Sequence, residues 1–355
     1  MVKLYSGLVL LMVVTTSVGH EAVETGYVYS MNLNTSFTGD DNLYVRIKTG
    51  DVGGDGDSQW DLKPTYHIET KDSNDDLKVD KIWYTFPIGE NVTATFGPRI
   101  ENYYMYITPS LYKPGALKSM KLGGNANFGA STDVGMGLKY ESDGGFGIAT
   151  NVVSKKADSS SGFLGKDDQN KWDTQIAYTT DQWHISATLS NQQNWSSHSY
   201  NATSLAANMK TGDFTGYAFR GYWSPEDTGT ALPEISVGYD IRSADDAVAS
   251  GAAKDSDSFF VGLNWFDIFQ ADDRIGLAFT QPLKVTECNG TCSTAEVDPF
   301  IWEAYYAFKP NDSIEVRPAI FGGSNVENSV EDDIFGAVVT TTSVSYTHLR
   351  AHETI

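Results

Sequence analysis

Four basic side chains and one carboxylate lie close together in a short stretch of an otherwise acidic chain. The chain has 355 residues and a formal charge of −21, whereas Arg99–Lys121 holds Arg99, Lys113, Lys118 and Lys121 against Glu101 alone. Such a local excess of positive charge favours small anions or mixed ion pairs where solutes pass close to it. The same lysines could instead stand in water on an outer surface, and the sequence leaves both interpretations open.

This basic stretch belongs to the longest of a series of predicted loops. About sixteen short segments between Val23 and Thr342 are joined by connections that alternate in length. Short periplasmic turns and long external loops are typical of a closed antiparallel barrel in a bacterial outer membrane. We therefore predict an all-β transmembrane antiparallel β-barrel of about 16 strands, with residues 99–132 as an inward-folded third external loop. The long connections are predicted near residues 38–42, 71–76, 99–132, 157–170, 193–212, 243–256, 281–298 and 324–331, and the short ones near 50–61, 87–90, 141–144, 180–181, 224–232, 267–273 and 309–312.

Apolar and polar residues alternate within the segments, as expected when one face meets lipid and the other meets water. Phe300, Trp302 and Tyr306 share one predicted face, and Glu303 and Tyr305 share the other. Aromatic residues also cluster at strand ends, as in the headgroup girdles of membrane barrels. These residues are Trp83, Tyr84, Phe86, Trp183, Tyr217, Phe219, Trp223, Trp265 and Phe308. A soluble β-sandwich would alternate too, so the alternative is a secreted or surface β-sheet structural protein or adhesin without a pore.

The composition argues against a membrane-spanning helix. The mean hydropathy is −0.31 with 40% apolar residues, and the longest aliphatic run, Leu8–Val14, is too short to span a bilayer as a helix. A barrel with a wet interior needs apolar residues on one face only, which fits this composition. About sixteen strands would enclose an aqueous channel rather than a packed core.

Strand parity assigns a set of charged residues to the water-facing side. Arg or Lys on the lipid side would cost about 2–4 kcal/mol each at the bilayer midplane, which is why we assign them inward. Opposed basic and acidic rows would create a transverse field, whereas mutual salt bridges would stiffen the wall, and the sequence does not separate the two. The predicted lining residues are Arg46, Lys48, Lys81, Asp173, Arg220, Asp240, Arg242, Glu303, Glu315 and Arg317.

The ends of the chain are predicted to lie outside the pore domain, residues 20–343. Residues 1–19 combine Lys3, a short apolar run and small residues, as in a cleaved signal peptide, although an accidental upstream extension would read the same way. Residues 344–355 show no periodicity and resemble a translated sequencing adapter. His348 and His352 are therefore not interpreted as metal ligands.

Two cysteines lie four positions apart in the seventh external loop. Cys288 and Cys292 flank an Asn-Gly turn, and in an exported chain such a pair is expected to form a local disulfide. The alternative is metal capture together with Glu287, for which more ligands would be needed.

Enzymatic motifs are absent from the sequence. His184 shares a predicted face with Ser186 and Ser190, which could suit a hydrolase but equally suits ordinary pore lining. There is no nucleophile elbow, phosphate-binding loop or ligand cluster. We therefore predict no enzymatic activity, no cofactor, no metal and no nucleic-acid partner.

Six stretches of the chain match a known family pattern: Asn32–Gly39, Asp80–Phe86, Gly97–Met105, Phe260–Gly276, Phe308–Ser313 and Phe321–Gly323. Together they resemble the carbohydrate-selective, or iron uptake, porins of cyanobacteria over about Tyr27–Thr342. The resemblance implies a passive porin of the cell outer membrane, a diffusion channel for small hydrophilic solutes and inorganic ions. It further implies a role in carbohydrate or iron transport, a homotrimer, and contact with outer-membrane lipid and lipopolysaccharide. Two features of the family, its S-layer-homology domain and a closing strand that ends on phenylalanine, are not visible.

Overall fold

In a computed structural model, the chain forms a single antiparallel sheet that closes on itself. The structure describes residues 2–17, 20–52, 67–68, 71–73, 75–124, 127, 133–195, 201–202, 212–244, 250–290, 298–326 and 333–349. None of the helices in these ranges is long and apolar enough to cross a membrane. The strands are β1 (Val2–Ser17), β2 (His20–Thr35), β3 (Asn42–Val52), β4 (Lys71–Asp72), β5 (Lys78–Ile88), β6 (Val92–Ile100), β7 (Asp133–Glu141), β8 (Phe146–Ser154), β9 (Asn170–Thr179), β10 (Trp183–Trp195), β11 (Gly212–Trp223), β12 (Glu234–Ala244), β13 (Ala253–Phe266), β14 (Arg274–Cys288), β15 (Phe300–Asn311), β16 (Ile314–Ser324) and β17 (Ile334–Leu349).

The barrel closes where the first strand meets the last. β1 pairs with β2 on one side and with β17 on the other, and β3 pairs directly with β5. β4 is a two-residue strand beside the end of β3. Leaving β4 aside, sixteen strands form the wall, which confirms the predicted antiparallel barrel.

The two faces of the wall differ as the alternation predicts. On β9, Trp172, Ile176 and Tyr178 are exposed, whereas Asp173 and Gln175 are fully buried. In a closed sheet the exposed apolar face is the outside and the polar face is the inside. Two stacked sheets are excluded by this topology, so the β-sandwich version of the alternative prediction is wrong.

The first part of the barrel differs from the prediction. Residues 36–41, predicted near 38–42 as an external loop, form a tight turn on the rim where β1 begins and β17 ends, which we call the terminal rim. Residues 50–61 and 71–76, predicted on opposite rims, belong to one connection between β3 and β5, and residues 53–66 of it lie outside the described ranges. The count of sixteen still holds because Val2–Ser17 supplies an extra strand.

The first and last strands include residues that the sequence assigns to a signal peptide and to a foreign tail. Val2–Ser17 has Leu8, Leu10 and Met12 exposed on one face and Val9 buried on the other. Residues that the sequence predicts as the apolar run of a signal peptide therefore form a barrel strand in the structure. β17 runs through the predicted boundary at residue 343, and Val2 is paired with Leu349. A strand that closes the barrel cannot also be cleaved off as a signal peptide. N-terminal sequencing of the mature protein would show whether residues 1–19 are retained or removed. The predicted processing of residues 1–19 and the foreign origin of residues 344–355 stay predictions.

Most of the predicted aromatic girdle lies on the outer face, and one member does not. Trp183, Tyr217 and Phe219 are exposed, but Trp83 is buried. Its ring packs 4.4 Å from that of Tyr44 and 4.7 Å from that of Tyr104. Since Trp83 and Tyr84 are consecutive in one strand, they must face opposite sides.

Candidate functional site: the barrel interior

The connection between β6 and β7 makes hydrogen bonds to side chains on the inner face of distant strands. On β9, the Gln175 amide accepts from the Ile107 backbone N–H at 2.8 Å and donates to the Ile107 carbonyl at 3.1 Å. On β12, the Ser236 hydroxyl accepts from the backbone N–H of Tyr112 at 3.2 Å. These wall side chains thus satisfy the backbone of a segment that has little secondary structure of its own.

Glu303 on β15 accepts four hydrogen bonds from this segment. Its carboxylate accepts hydrogen bonds from the backbone N–H groups of Gly115 (2.8 Å), Ala116 (2.9 Å) and Leu117 (2.7 Å), and from the Tyr112 hydroxyl (2.8 Å). The carboxylate is fully buried. A buried anion is stable only when its oxygens are well hydrogen-bonded, and here four donors meet that requirement.

A buried ion pair attaches the far end of the same segment. Arg220 on β11 and Asp240 on β12 are 2.6 Å apart, with both side chains only 1% exposed. Arg220 also donates to the Leu122 carbonyl at 3.1 Å, and Asp240 accepts from the Asn127 N–H at 3.2 Å. The charges of Arg220 and Asp240 therefore compensate each other within the protein. We call the inner-face residues that this segment buries the covered wall: Asp173, Gln175, Arg220, Asp240 and Glu303.

Tyr106 and Tyr112 of the segment are held in their neutral form. Burial raises the pKa of Tyr112 well above its ordinary value, and the charge of Glu303 raises it further. Burial likewise raises the pKa of Tyr106, whose hydroxyl donates to Asp173. Both phenols therefore remain hydrogen-bond donors to wall carboxylates.

A second part of the inner face is partly open to solvent. On the β3–β5 side, Asp80 pairs with Arg46 and, at 3.2 Å, with Lys71. On β16, Glu315 lies 3.3 Å from Arg317 and 3.9 Å from Arg274. These side chains are 11–25% exposed. We call this set the open wall: Arg46, Lys71, Asp80, Arg274, Glu315 and Arg317.

The predicted lining residues divide between these two surroundings. Arg46, Glu315 and Arg317 keep some exposure, but the other seven are 8% exposed or less: Lys48, Lys81, Asp173, Arg220, Asp240, Arg242 and Glu303. The alternation of positions along a strand predicts which face a residue occupies but not which other residues cover it. Mutual salt bridges, one of the two alternatives, occur on both walls.

Of the predicted constriction residues, Glu101 and Lys121 come together around one ring. Glu101 pairs with buried Lys81 and accepts from the Tyr103 hydroxyl. Lys121 donates to the same hydroxyl at 3.0 Å, and its ammonium lies 4.5 Å from the ring centroid. The tyrosine thus links the beginning and the end of the basic stretch.

The other three constriction residues do not join this cluster. Lys113 is exposed, with its ammonium 5.4 Å from the Phe266 ring, and Lys118 is half-buried. Arg99 is exposed at the end of β6, where its Nε donates to the Asp80 carbonyl at 3.4 Å. A register shift between Gly97 and Ile100 accompanies this change of face.

Sequence reasoning missed the open-wall residues Lys71, Asp80 and Arg274. A register shift opposite Arg46 lets the consecutive residues Asp80 and Lys81 both contact inner-face groups. Parity along one strand cannot reveal such a shift. An acidic and a basic residue side by side in a strand next to Arg46 is the signal that could have suggested it.

His184 lies in a chain of hydroxyl contacts. Its Nδ1 is 2.7 Å from the Thr179 hydroxyl and its Nε2 is 3.0 Å from that of Ser186. The ring stacks on Tyr222 with centroids 4.8 Å apart. No carboxylate is among its contacts in the described part of the chain, an arrangement that suits a buried wall residue.

Cys288 at the end of β14 is disulfide-bonded, and the chain's other cysteine, Cys292, lies outside the described residues. Within the described ranges, no group of three or more His, Cys, Asp or Glu side chains could hold a metal ion.

Comparison with known proteins defines the fold. No family model and no curated protein sequence matches the chain. The structure is similar to a high-pH structure of Pseudomonas putida OprB, with TM-score 0.65 and 10% identity over 97% of this chain and 93% of that one. It is also similar to Salmonella typhi OmpF in complex with daunomycin, with TM-score 0.59 and 15% identity over 97% of both chains. Vibrio cholerae OmpT with its loop L8 deleted gives TM-score 0.57 and 12% identity over 97% and 99%. The class is therefore a closed barrel with the porin fold.

Proposed function

We propose that the chain is a passive channel of the bacterial outer membrane, through which small hydrophilic solutes and inorganic ions diffuse. The support is the contrast between its faces, since large apolar side chains are exposed on the outside and charged ones lie inside. So large an exposed apolar surface would promote association in water, whereas lipid satisfies it. Solute diffusion, and no catalysed reaction, is the function that such a barrel supports.

We propose further that residues 99–132 fold inward and narrow the channel. The observation that carries this proposal is the hydrogen bonding of Glu303 to Gly115, Ala116 and Leu117. These residues follow β6, yet they reach the inner face of β15, many strands away around the wall. Contacts of one segment with both β9 and β15 support a path across the interior.

The charges that remain near water favour anions. The open wall holds four basic residues and two acidic ones, and Lys113, Lys118 and Lys121 add to the positive side. At physiological salt, screening acts over about 8 Å, so these charges influence only solutes that pass close to them. We therefore propose a modest preference for anions at the constriction.

The family resemblance supports several finer proposals. It suggests carbohydrate or iron uptake as the physiological role and a homotrimer as the assembly, and a trimer form is recorded for Vibrio cholerae OmpT. Exposed carboxylates of the external loops, such as Asp167, would bind divalent ions that also bridge lipopolysaccharide.

Planar-bilayer recording tests the proposed function. Purified protein should give stepwise conductance, and Lys113→Glu should shift the reversal potential in a salt gradient toward cations. Lys166→Glu, the same charge change in the exposed β8–β9 loop, is the matched control and should shift it much less. A correctly folded barrel that gives no conductance steps would contradict the channel and favour the pore-less structural protein or adhesin.

A further inference from the structure

Two turns on the terminal rim share a sequence that the channel function does not use. Phe37-Thr-Gly-Asp-Asp41 joins β2 to β3, and Phe269-Gln-Ala-Asp-Asp273 joins β13 to β14. Each begins with an exposed phenylalanine and ends with two aspartates directly before a strand. The second aspartate of each pair is buried, so the two turns share a structure as well as a pattern.

In the first turn, Asp41 gathers the backbone around itself. Its carboxylate accepts from the backbone N–H groups of Phe37 at 2.9 Å and Thr38 at 2.7 Å. It also accepts from the Tyr84 hydroxyl at 2.6 Å. That hydroxyl is the largest cause that holds the pKa of Asp41 below its ordinary value, although burial opposes it.

The second turn repeats these contacts. Asp273 accepts from the backbone N–H groups of Ile268 at 2.8 Å, Phe269 at 2.9 Å and Gln270 at 3.0 Å, and from the Tyr306 hydroxyl at 3.0 Å. Burial alone would raise the pKa of Asp273, but these donors lower it below its ordinary value. The turn is thus held around an ionised carboxylate.

The tyrosines occupy the same place in both turns. Tyr84 is paired across the sheet with Leu43, two residues after Asp41, and Tyr306 is paired with Ile275, two residues after Asp273. Each tyrosine stacks on the phenylalanine two positions later in its strand, with centroids 5.6 Å and 5.5 Å apart. The turn phenylalanine packs against the same tyrosine at 6.2 Å and 5.7 Å. Each turn ring therefore continues a row of rings on the outer face.

The two turn phenylalanines are among the most exposed apolar side chains described. Phe37 is 69% exposed and Phe269 is 74% exposed, although the backbone of each is fixed by the carboxylate contacts. Next to them, Asp40 and Asp272 are also exposed. An apolar ring beside a charged group, at the end of a lipid-facing aromatic row, matches the polarity gradient at a lipid headgroup layer.

The terminal rim carries the short turns, which in outer-membrane barrels face the periplasm. We propose that these two turns are membrane-interface anchors, in which Phe37 and Phe269 insert into the headgroup layer of the inner leaflet. The proposal rests on the outer-membrane location proposed above and assigns a lipid partner to a specific motif. The two turns are ten strands apart around the barrel in one direction and six in the other. Two separated points of contact would set both the depth and the tilt of the terminal rim.

Lipid-depth quenching tests this assignment. Phe37→Cys and Phe269→Cys, each labelled with a nitrobenzoxadiazole dye in nanodiscs, should be quenched by brominated lipid at least twofold more than Asp143→Cys. Asp143 lies on the same rim, in the turn between β7 and β8. Aqueous iodide should show the opposite order. Quenching of both turn probes equal to that of the Asp143 probe would overturn the proposal.

A further probe separates the anchors from the membrane location itself. Ile176→Cys replaces an exposed residue on the outer face of β9, so its dye should be quenched strongly by brominated lipid. If that probe also fails, the membrane location is wrong; if it succeeds and the turn probes fail, only the anchors are wrong. Adding Asp273→Asn to the Phe269→Cys protein should halve the lipid quenching, and unchanged quenching would show that the carboxylate does not position the ring.

Discussion

The covered wall and the open wall are built from the same residue types but surround their charges differently. On the covered wall, Glu303 and Asp240 accept hydrogen bonds from backbone N–H groups of the 101–127 segment, and Asp240 also pairs with buried Arg220 on β11. On the open wall, Asp80 and Glu315 pair with neighbouring basic side chains and keep contact with solvent. Charged residues on the inner face can therefore either bind the 101–127 segment or remain in contact with water.

The energetics of the two walls should differ accordingly. Removing one partner from a buried ion pair leaves the other charge unsatisfied, which destabilises a protein by about 3–5 kcal/mol. A partly exposed pair contributes about 0–1 kcal/mol because water and salt screen it. Substitutions on the covered wall should therefore affect folding, and substitutions on the open wall should affect ion passage.

The largest effect is expected for Asp240→Ala. It leaves Arg220 buried without its carboxylate, so the free energy of unfolding should fall by about 3–5 kcal/mol. The measurement is the urea midpoint of the folded band in unheated gel samples. Replacing both partners, Arg220→Met with Asp240→Leu, should lose less than the single change, since the guanidinium of Arg220 is no longer left buried without its carboxylate. An equal or larger loss in the double variant would contradict the ion-pair explanation.

A smaller effect is expected for Glu303→Gln. The amide retains one acceptor oxygen but turns a donor toward N–H groups that the carboxylate satisfied. Lost hydrogen bonds to a buried charge should lower the free energy of unfolding by about 2–3 kcal/mol. Channel current should also become noisier, because the segment is less firmly attached. Glu315→Gln on the open wall is the control, and an equal loss there would remove the distinction between the walls.

The third prediction concerns acid sensitivity. His67 is buried, and its Nε2 lies 3.3 Å from the Thr340 hydroxyl. Its backbone forms an isolated antiparallel β-bridge with Leu117 of the segment. Burial, then the charges of Arg317 and Lys118, hold the pKa of His67 well below its ordinary value. The unfolded chain binds a proton below about pH 6.5, whereas the folded chain does not. Stability from neutral His67 is therefore complete above that pH and is lost as the pH falls toward the folded pKa.

His67→Gln should consequently flatten this acid dependence. Urea midpoints measured between pH 7 and pH 5 should decline less steeply in the variant than in the parent protein. The change should be modest, since one group contributes. Parallel curves for the two proteins would show that His67 is not the titrating group.

Much of the fold was predictable because alternation in strands such as β9 and β15 directly records which face meets lipid. The walls were less predictable. Parity predicted Asp240 and Glu303 on the inner face, but only the tertiary structure shows their hydrogen bonds to the backbone of residues 115–117 and 127. Asp80 was missed, and the position of Arg99 apart from Glu101 and Lys121 was not anticipated, because register shifts change faces without a marker in the sequence. The strand Val2–Ser17 was missed because its apolar run also fits a signal peptide.

Cysteine accessibility tests the division of the inner face most directly. Ser258→Cys, beside Asp240 in the sheet, changes a buried hydroxyl that makes no hydrogen bond in the described structure, whereas Glu315→Cys lies on the open wall. A small anionic thiosulfonate reagent added to the aqueous chamber should reduce the current through Glu315→Cys channels and leave Ser258→Cys channels unchanged. Equal rates of modification at the two positions would contradict a wall that is covered on one side and open on the other.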